Sequence, residues 1–335
     1  MKNKKTFWSQ TISIGTLVVP RFMSAPMDGV TDSPFRQIVR AFSHDELLWG
    51  EMRHVERIVH DKTGKDLRYN PTEQPLGFQF SANQTDQVKQ AVDLVISHGF
   101  KTINLNCGCP SRLITKSGSG SALMANVPLL TDILKAFMEA IDGRVPMTIK
   151  IRAGYKEKNA LEISKIAHDL GIACIIIHPR TQGGKFSAPL DFDIVKKIKE
   201  SVEVPVIFSG NIDSFQAAQK THELTGCDGF MIGRALWGAP WKMHEIMCSA
   251  RDQKFCITKQ EIIHYVLQHL ELSLQHYGEK TGIKMIKKHI ASYITNIEHA
   301  ALWREKLLRS LTKEETITLL NQIFEEQAND TSTHK

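Results

Sequence analysis

TINLNCGCP, residues 102–110, is an apolar run that ends abruptly in polar groups, with Asn106, Cys109 and Pro110 at its close. Its branched and aliphatic residues favour extended backbone, and Gly108 with Pro110 stops the strand. A thiol therefore stands at the C-terminal mouth of a strand. The stretch that follows, SRLITKSGSGSALM at 111–124, is polar and rich in Gly and Ser, the composition of a loop that orders over a ligand and covers Cys109. An isolated free cysteine is more often inert packing, and Cys107 and Cys174 fit that description. Cys107 and Cys109 share one face of an extended strand, two residues apart. Zinc knuckles use a Cys-x-x-Cys spacing and a second ligand pair, neither of which is present, so no metal is expected.

Outward from this run, short apolar segments alternate with amphipathic ones. The strand candidates are VVPRFMSAP (18–26), ELLWGEM (46–52), PLGFQF (75–80), TINLN (102–106), MTIKIR (147–152), CIIIHPR (174–180), VPVIFSGN (204–211) and GFMIGR (229–234). Between most of them lie segments of helical period, such as QTDQVKQAVDLVISHG and PLLTDILKAFMEAID. Strand then helix, eight times over, predicts an α/β fold of the (β/α)8 TIM-barrel kind. A doubly wound open sheet is the other candidate, but no GxGxxG follows the first strand.

Barrel chemistry sits at the C-terminal strand ends, and here those ends carry Met27, Glu51, Gln79, Asn106 with Cys109, Lys150, His178, Asn211 and Arg234. Each alone has a bland account: Lys150 as a solvated amine, Glu51 paired with Arg53 or Arg57, His178 as a buried imidazole. Together they converge on one pocket. Strands seven and eight end in SGNI and IGRA, Gly-containing turns in the usual phosphate position of such barrels, which favours a phosphorylated ligand.

At 335 residues, with 42% hydrophobic and 23% charged residues, the chain has the composition of a soluble globular protein. No apolar run approaches the roughly 20 residues that span a bilayer. The basic start, MKNKKTFWSQTISIG, lacks the apolar core of a secretory signal, and six scattered cysteines read as reduced thiols of a cytoplasmic protein. A net charge of +6 favours polyanionic partners only weakly.

From about residue 256 the alternation stops. ITKQEIIHYVLQHLELSLQHYG, GIKMIKKHIASYITNIEHA and TKEETITLLNQIFEEQ predict an all-helical C-terminal domain. Lys284, Lys287 and Lys288 fall at i, i+3 and i+4, a stripe suited to phosphates as well as to plain solvation. ANDTSTHK at the end is polar and reads as disordered.

Taken in order, APMDGVTDSPFR (25–36), GEM (50–52), NLNCGCPS (104–111), KSGSGSALM (116–124), KIRAG (150–154), HPRT (178–181), SGNI (209–212) and CDGFMIGRA (227–235) resemble the RNA dihydrouridine synthases over nearly the whole chain, with the bacterial B type nearest. The resemblance implies an FMN-binding barrel over 1–255, a helical RNA-binding domain over 256–328, a disordered tail over 329–335, and a monomer. It implies reduction of one uridine in tRNA to 5,6-dihydrouridine with NADPH as reductant. By position, Ala25, Pro26, Met27, Gln79, Lys150, His178, Ser209, Gly210, Asn211, Gly233 and Arg234 would form the FMN pocket. Asn106 and Arg180 would line the uracil cleft, Lys284, Lys287 and Lys288 would meet RNA, and Cys109 would donate the proton. Asn104, Pro179 and Ser209 depart from the family's common residues. Cysteine suits the acid role, because its ordinary pKa of about 8.5 leaves it protonated at neutral pH. The rival readings are a small-molecule flavin oxidoreductase, a Schiff-base aldolase with Lys150 as nucleophile, and an RNA-binding module without catalysis.

Overall fold

The computed structural model describes residues 7–184, 187–295 and 297–330. An antiparallel hairpin opens it, β1 (Thr11–Ile14) paired with β2 (Leu17–Pro20). Eight parallel strands follow: β3 (Phe22–Ser24), β4 (Leu48–Trp49), β6 (Leu76–Ser81), β7 (Thr102–Cys107), β8 (Met147–Gly154), β9 (Cys174–Thr181), β10 (Val206–Ser209) and β11 (Gly229–Ile232). They run in the order β3-β11-β10-β9-β8-β7-β6-β4, and a two-residue strand, β5 (Arg53–His54), extends the edge of β6. At the seam Ser24 N donates to Leu47 O at 3.1 Å and Trp49 N to Ser24 Oγ at 3.0 Å, which brings the sheet round into a barrel.

The segment expected as one strand over 18–26 is two, because Pro20 ends the hairpin and Arg21 turns the chain into β3. The hairpin itself was not anticipated. Its Ile12, Ile14 and Val19 pack with Met23, Trp49, Ile176, Ile207 and Met231 inside the barrel and stopper its N-terminal end. Strand parity explains the division of the apolar run CIII: Cys174 and Ile176 point inward, whereas Ile175 and Ile177 face the helices.

The helices are α1 (Ser33–Arg40), α2 (Val55–His60), α3 (Val88–Ser97), α4 (Arg112–Lys116), α5 (Val127–Ile141), α6 (Ala160–Asp169), α7 (Phe192–Ser201), α8 (Phe215–Thr225) and α9 (Lys242–Ala250). Then come α10 (Lys259–Tyr277), α11 (Glu279–Tyr293), α12 (Ala300–Arg309) and α13 (Lys313–Asp330). The last four enclose their own core of Val266, Leu270, Ile286, Ile290, Trp303, Leu307, Leu320 and Ile323. Helix α12 was not foreseen, since apolar periodicity runs unbroken through the chain's turn after α11. Helix α13 reaches Asp330, so Asn329 and Asp330, expected in a disordered tail, are helical; 331–335 lie outside the described residues.

The helical unit leans on α1. Tyr277 Oη donates to Asp32 Oδ2 at 3.0 Å, and Phe42 packs on Tyr265 with ring centroids 4.4 Å apart. Asp32 also caps α1 through Phe35 N. Helices α10 and α11 touch closely where Ser273 Oγ meets Gly282 O at 3.0 Å.

Trp49 is fully buried and faces Gly77 across the β4–β6 pair. A Cβ on Gly77 would lie 2.6 Å from the indole ring and 3.0 Å from Thr102 Cγ2. Gly77→Ala is therefore expected to cost about 1–3 kcal/mol of stability, read as a lower urea midpoint at unchanged m-value. An unaltered midpoint would show that the indole is free to move.

Candidate active site

Facing the interior above the apolar layer is a chain of polar side chains. Asn104 Nδ2 donates to Thr148 Oγ1 at 2.8 Å, Gln79 Nε2 to Asn104 Oδ1 at 2.8 Å, and Asn106 Nδ2 to Gln79 Oε1 at 2.9 Å. All four side chains are buried, so each bond is made in a medium where an unmade one is costly. Asn106 Oδ1 then accepts from Gly108 N at 3.1 Å and Cys109 N at 2.8 Å. The strand's last inward side chain thus shapes the turn that carries the thiol.

That turn separates the two cysteines expected to share a face. Cys107 ends β7 pointing outward into the helix-facing core, and burial pushes its thiol well up. Cys109, past Gly108, lines the cavity and is half-buried. Residues 111–124 were expected as a cover. They instead form α4 and a 3-10 turn, Gly120–Ala125, and none of them lines the cavity. Ser121 N and Oγ hold Cys109 O from that side at 3.1 and 2.9 Å.

The cavity holds about 480 Å³ and opens at the C-terminal strand ends. Ala25, Pro26, Met27, Gln79, Asn106, Cys109, Lys150, His178, Ser209, Gly210, Asn211, Gly233 and Arg234 all line it. Lys150 stands beside Asn106 in the β7–β8 register. Burial and the nearby Arg152 bring its pKa down to about 8, against the opposing pull of Cys109. Burial first, then Lys150, Arg152 and Arg180, drives His178 down to about 2, so its imidazole is neutral at any ordinary pH.

At one end β10 and β11 release their turns. A Cβ on Gly210 would sit 3.0 Å from Leu190 Cδ2, Asn211 adopts φ +51°, and Arg234 Nη2 donates to Asn211 Oδ1 at 3.2 Å. Arg180 was expected to line the cleft, but it lies just behind the wall. Its Nε donates to Ala188 O and its buried Nη1 has no partner among the described residues. Burial and the proximity of Arg234 lower its pKa. Two guanidinium groups this close, one with an orphaned N–H, suit a doubly charged phosphate. A cavity of this volume with a cationic end and with Lys150 and Gln79 along its side fits FMN.

Glu51 turns away from the cavity, accepting from Gly29 N at 2.6 Å and Arg53 Nη2 at 2.7 Å. The lysine stripe is broken. Lys287 Nζ donates to Leu308 O at 2.8 Å and to Ser310 O, closing the end of α12. Lys284 is exposed, and Lys288 Nζ comes within 3.8 Å of the Cβ position of Gly29 on the pocket's first loop.

One residue escaped the sequence reading. Arg152 lines the cavity and ties its parts together, its Nε donating to Gly108 O at 2.6 Å and Nη1 to Thr181 O at 3.1 Å. Its place two residues after Lys150 on one strand, hence on the same face, was the available signal.

Comparison with known proteins agrees with this geometry. The profile of the family described as dihydrouridine synthase matches residues 23–329. A tRNA-dihydrouridine synthase B of Pseudomonas aeruginosa is 30% identical over 334 residues, covering 95% of this chain and 97% of the relative. One of Shewanella oneidensis is 33% identical over 308 residues, covering 90% and 94%. Among solved structures, histamine dehydrogenase from Rhizobium sp. 4-9 superposes with a TM-score of 0.59 at 13% identity, covering 81% of this chain and 51% of that one. An old yellow enzyme homologue from Zymomonas mobilis gives 0.54 at 12% identity, covering 70% and 90%. At such identities these two speak for the fold alone. The polar barrel mouth around Cys109 and the full-length match together place the chain in the dihydrouridine synthase family.

Proposed function

We propose that this oxidoreductase reduces a specific uridine of tRNA to 5,6-dihydrouridine, with FMN in the barrel cavity, NADPH as reductant and Cys109 as proton donor. The observation that carries the reading is the thiol's setting: Cys109 stands over the cavity, its backbone fixed by Asn106 and Ser121, with Lys150 and Arg152 alongside. Bound there, FMN supplies to one uracil carbon the hydride it takes from NADPH.

The Cys109 thiol delivers its proton to the neighbouring carbon. Lys150 and Arg152 stabilise the thiolate left behind. Asn106 has both acceptor lone pairs of Oδ1 engaged by backbone amides, so toward the uracil it offers the second hydrogen of Nδ2 to a carbonyl oxygen. Gly210, Asn211, Arg234 and Arg180 hold the phosphate. Neutral His178 presents an uncharged wall that leaves the anionic ligand's charge to Lys150. Family membership sets aside the aldolase and the idle RNA-binding module. The helical unit over 256–328 is the natural RNA dock, with Lys284 and Lys288 in contact with phosphates. On this reading the protein acts on its tRNA in the cytoplasm and as a monomer.

Cys109→Ala is expected to keep FMN and its reduction by NADPH, while reoxidation by unmodified tRNA transcript slows about 10²–10⁴-fold. Cys107→Ala, outside the cavity, leaves that rate near the parent's. Anaerobic stopped-flow absorbance separates the two, and parental reoxidation in Cys109→Ala would remove the thiol from the mechanism.

Retention of FMN should depend on pH through Lys150. Below about 8 the free protein already carries the charged amine. Above it, binding must take up a proton, so affinity falls by up to about tenfold per pH unit until the bound-state pKa is reached. Fluorescence titration of apoprotein with FMN between pH 7 and 10 measures the slope; Lys150→Met should flatten it.

For RNA, Lys284→Ala with Lys288→Ala should lower the salt dependence of tRNA binding by up to about two phosphate contacts' worth and spare NADPH oxidation without RNA. Lys287→Ala should instead lower Tm. An unchanged salt slope in the double variant places the RNA elsewhere.

A further inference from the structure

Where α1 meets α10 and α11 lies a group of buried polar residues that the reaction does not use. Asp32, His269 and His289 are 4%, 1% and 1% exposed, and one potential ligand atom from each lies within 4.8 Å of the other two. Both ring nitrogens of His289 are buried without a hydrogen-bond partner. Ring faces pack against it: Phe35 stacks on it at 5.2 Å and His269 approaches at 4.6 Å, centroid to centroid. Two orphaned nitrogens on one buried imidazole are costly in a finished interior. They call for an occupant.

We propose that Asp32, His269 and His289 bind one divalent transition metal ion, zinc by the chemistry of the set, and that this ion pins the helical unit to the barrel. Two imidazoles and one carboxylate are a familiar donor set for Zn²⁺, with ligand distances of about 2.0–2.2 Å. Binding would draw the three atoms together from their present spread of up to 4.8 Å. Burial keeps both imidazoles neutral, His289 at about 3 with Lys288 contributing. Asp32 accepts from Phe35 N and Tyr277 Oη, no cationic side chain among the described residues forms an ion pair with it, and burial raises its pKa against the opposing pull of Lys288. A cation would compensate that carboxylate and satisfy His289 in one step.

The surroundings supply the outer support such a site needs. Tyr293 Oη lies 3.2 Å from His269 Nδ1 and fixes that ring, and Tyr277 Oη fixes the carboxylate at 3.0 Å. The ligands come from α1's N-cap and from both helices of the α10–α11 pair, so the ion would bridge elements nearly 240 residues apart in sequence, Asp32 to His269. None of its three ligands lines the cavity, so the ion's part would be structural. Its effect on function runs through the posture of the helical unit, and Asp32 follows directly on the Met27–Thr31 turn of the pocket's first loop.

The test uses the full-length flavoprotein, expressed with zinc and passed through metal-free gel filtration. Plasma mass spectrometry should find about one zinc per chain. Removing it with a strong chelator should lower Tm, and added Zn²⁺ should restore it. His289→Gln keeps size and polarity but loses the ligand; zinc content should drop at least about tenfold with FMN content unchanged. Should that variant fold poorly, Co²⁺ added to the chelated parent gives a second readout, a visible d–d band outside the flavin spectrum. Zinc far below one per chain together with a Tm indifferent to Zn²⁺ overturns the proposal, as does parental zinc retained by His289→Gln, which would put the ion elsewhere.

Discussion

The hydrogen bond from Asn106 Nδ2 to Gln79 Oε1 holds the site together. Barrel geometry obliges every second residue of a strand to point inward, and at this height the inward positions are amides and a hydroxyl instead of aliphatic groups. Once Gln79 is committed to Asn104 and Asn106, and Asn104 to Thr148, no amide in the set is free to flip without orphaning its neighbour. That rigidity is transmitted to Cys109 through two backbone amides. The thiol's position is therefore a property of three adjacent strands, not of a loop.

Electrostatics follow from the same constraint. With the interior filled by neutral amides, the charged groups are confined to the rim, where Lys150, Arg152, Arg180 and Arg234 bias the opening toward anions. Burial first, and then the crowding of these cations, explains both the lowered Lys150 and the neutral His178. A cavity so biased attracts a phosphorylated cofactor and tolerates a nascent thiolate for one and the same reason.

Most of this was legible in the chain. The eight apolar runs fell on strands because parallel strands buried on both faces must be nearly continuous in hydrophobicity, and the strand-end rule then located eight cavity residues, Met27, Gln79, Asn106, Cys109, Lys150, His178, Asn211 and Arg234, while the family resemblance added Ala25, Pro26, Ser209, Gly210 and Gly233. What escaped did so for physical reasons. The TISI strand of the hairpin is too short to have a period of its own, and β2 merged with β3 because no polar residue but Arg21 divides them. Arg180 sits on the right strand end but turns behind the wall, a choice made by the carbonyl of Ala188. Lys287 looked like its neighbours on the helix, and only the packing of α12 reveals the carbonyls that engage it. Asp32, His269 and His289 share no local spacing, so nothing short of the folded chain brings them into one group.

The hairpin stopper has a consequence for traffic. Because β1 and β2 fill the N-terminal end with Ile12, Ile14 and Val19 against Trp49, the described residues leave the cavity to open at the C-terminal strand ends. A dinucleotide and a folded RNA that both reach the cavity from that end would have to take turns there. Reductant and RNA approaching from that one end would compete for the same threshold, so an excess of NADPH would slow the entry of RNA.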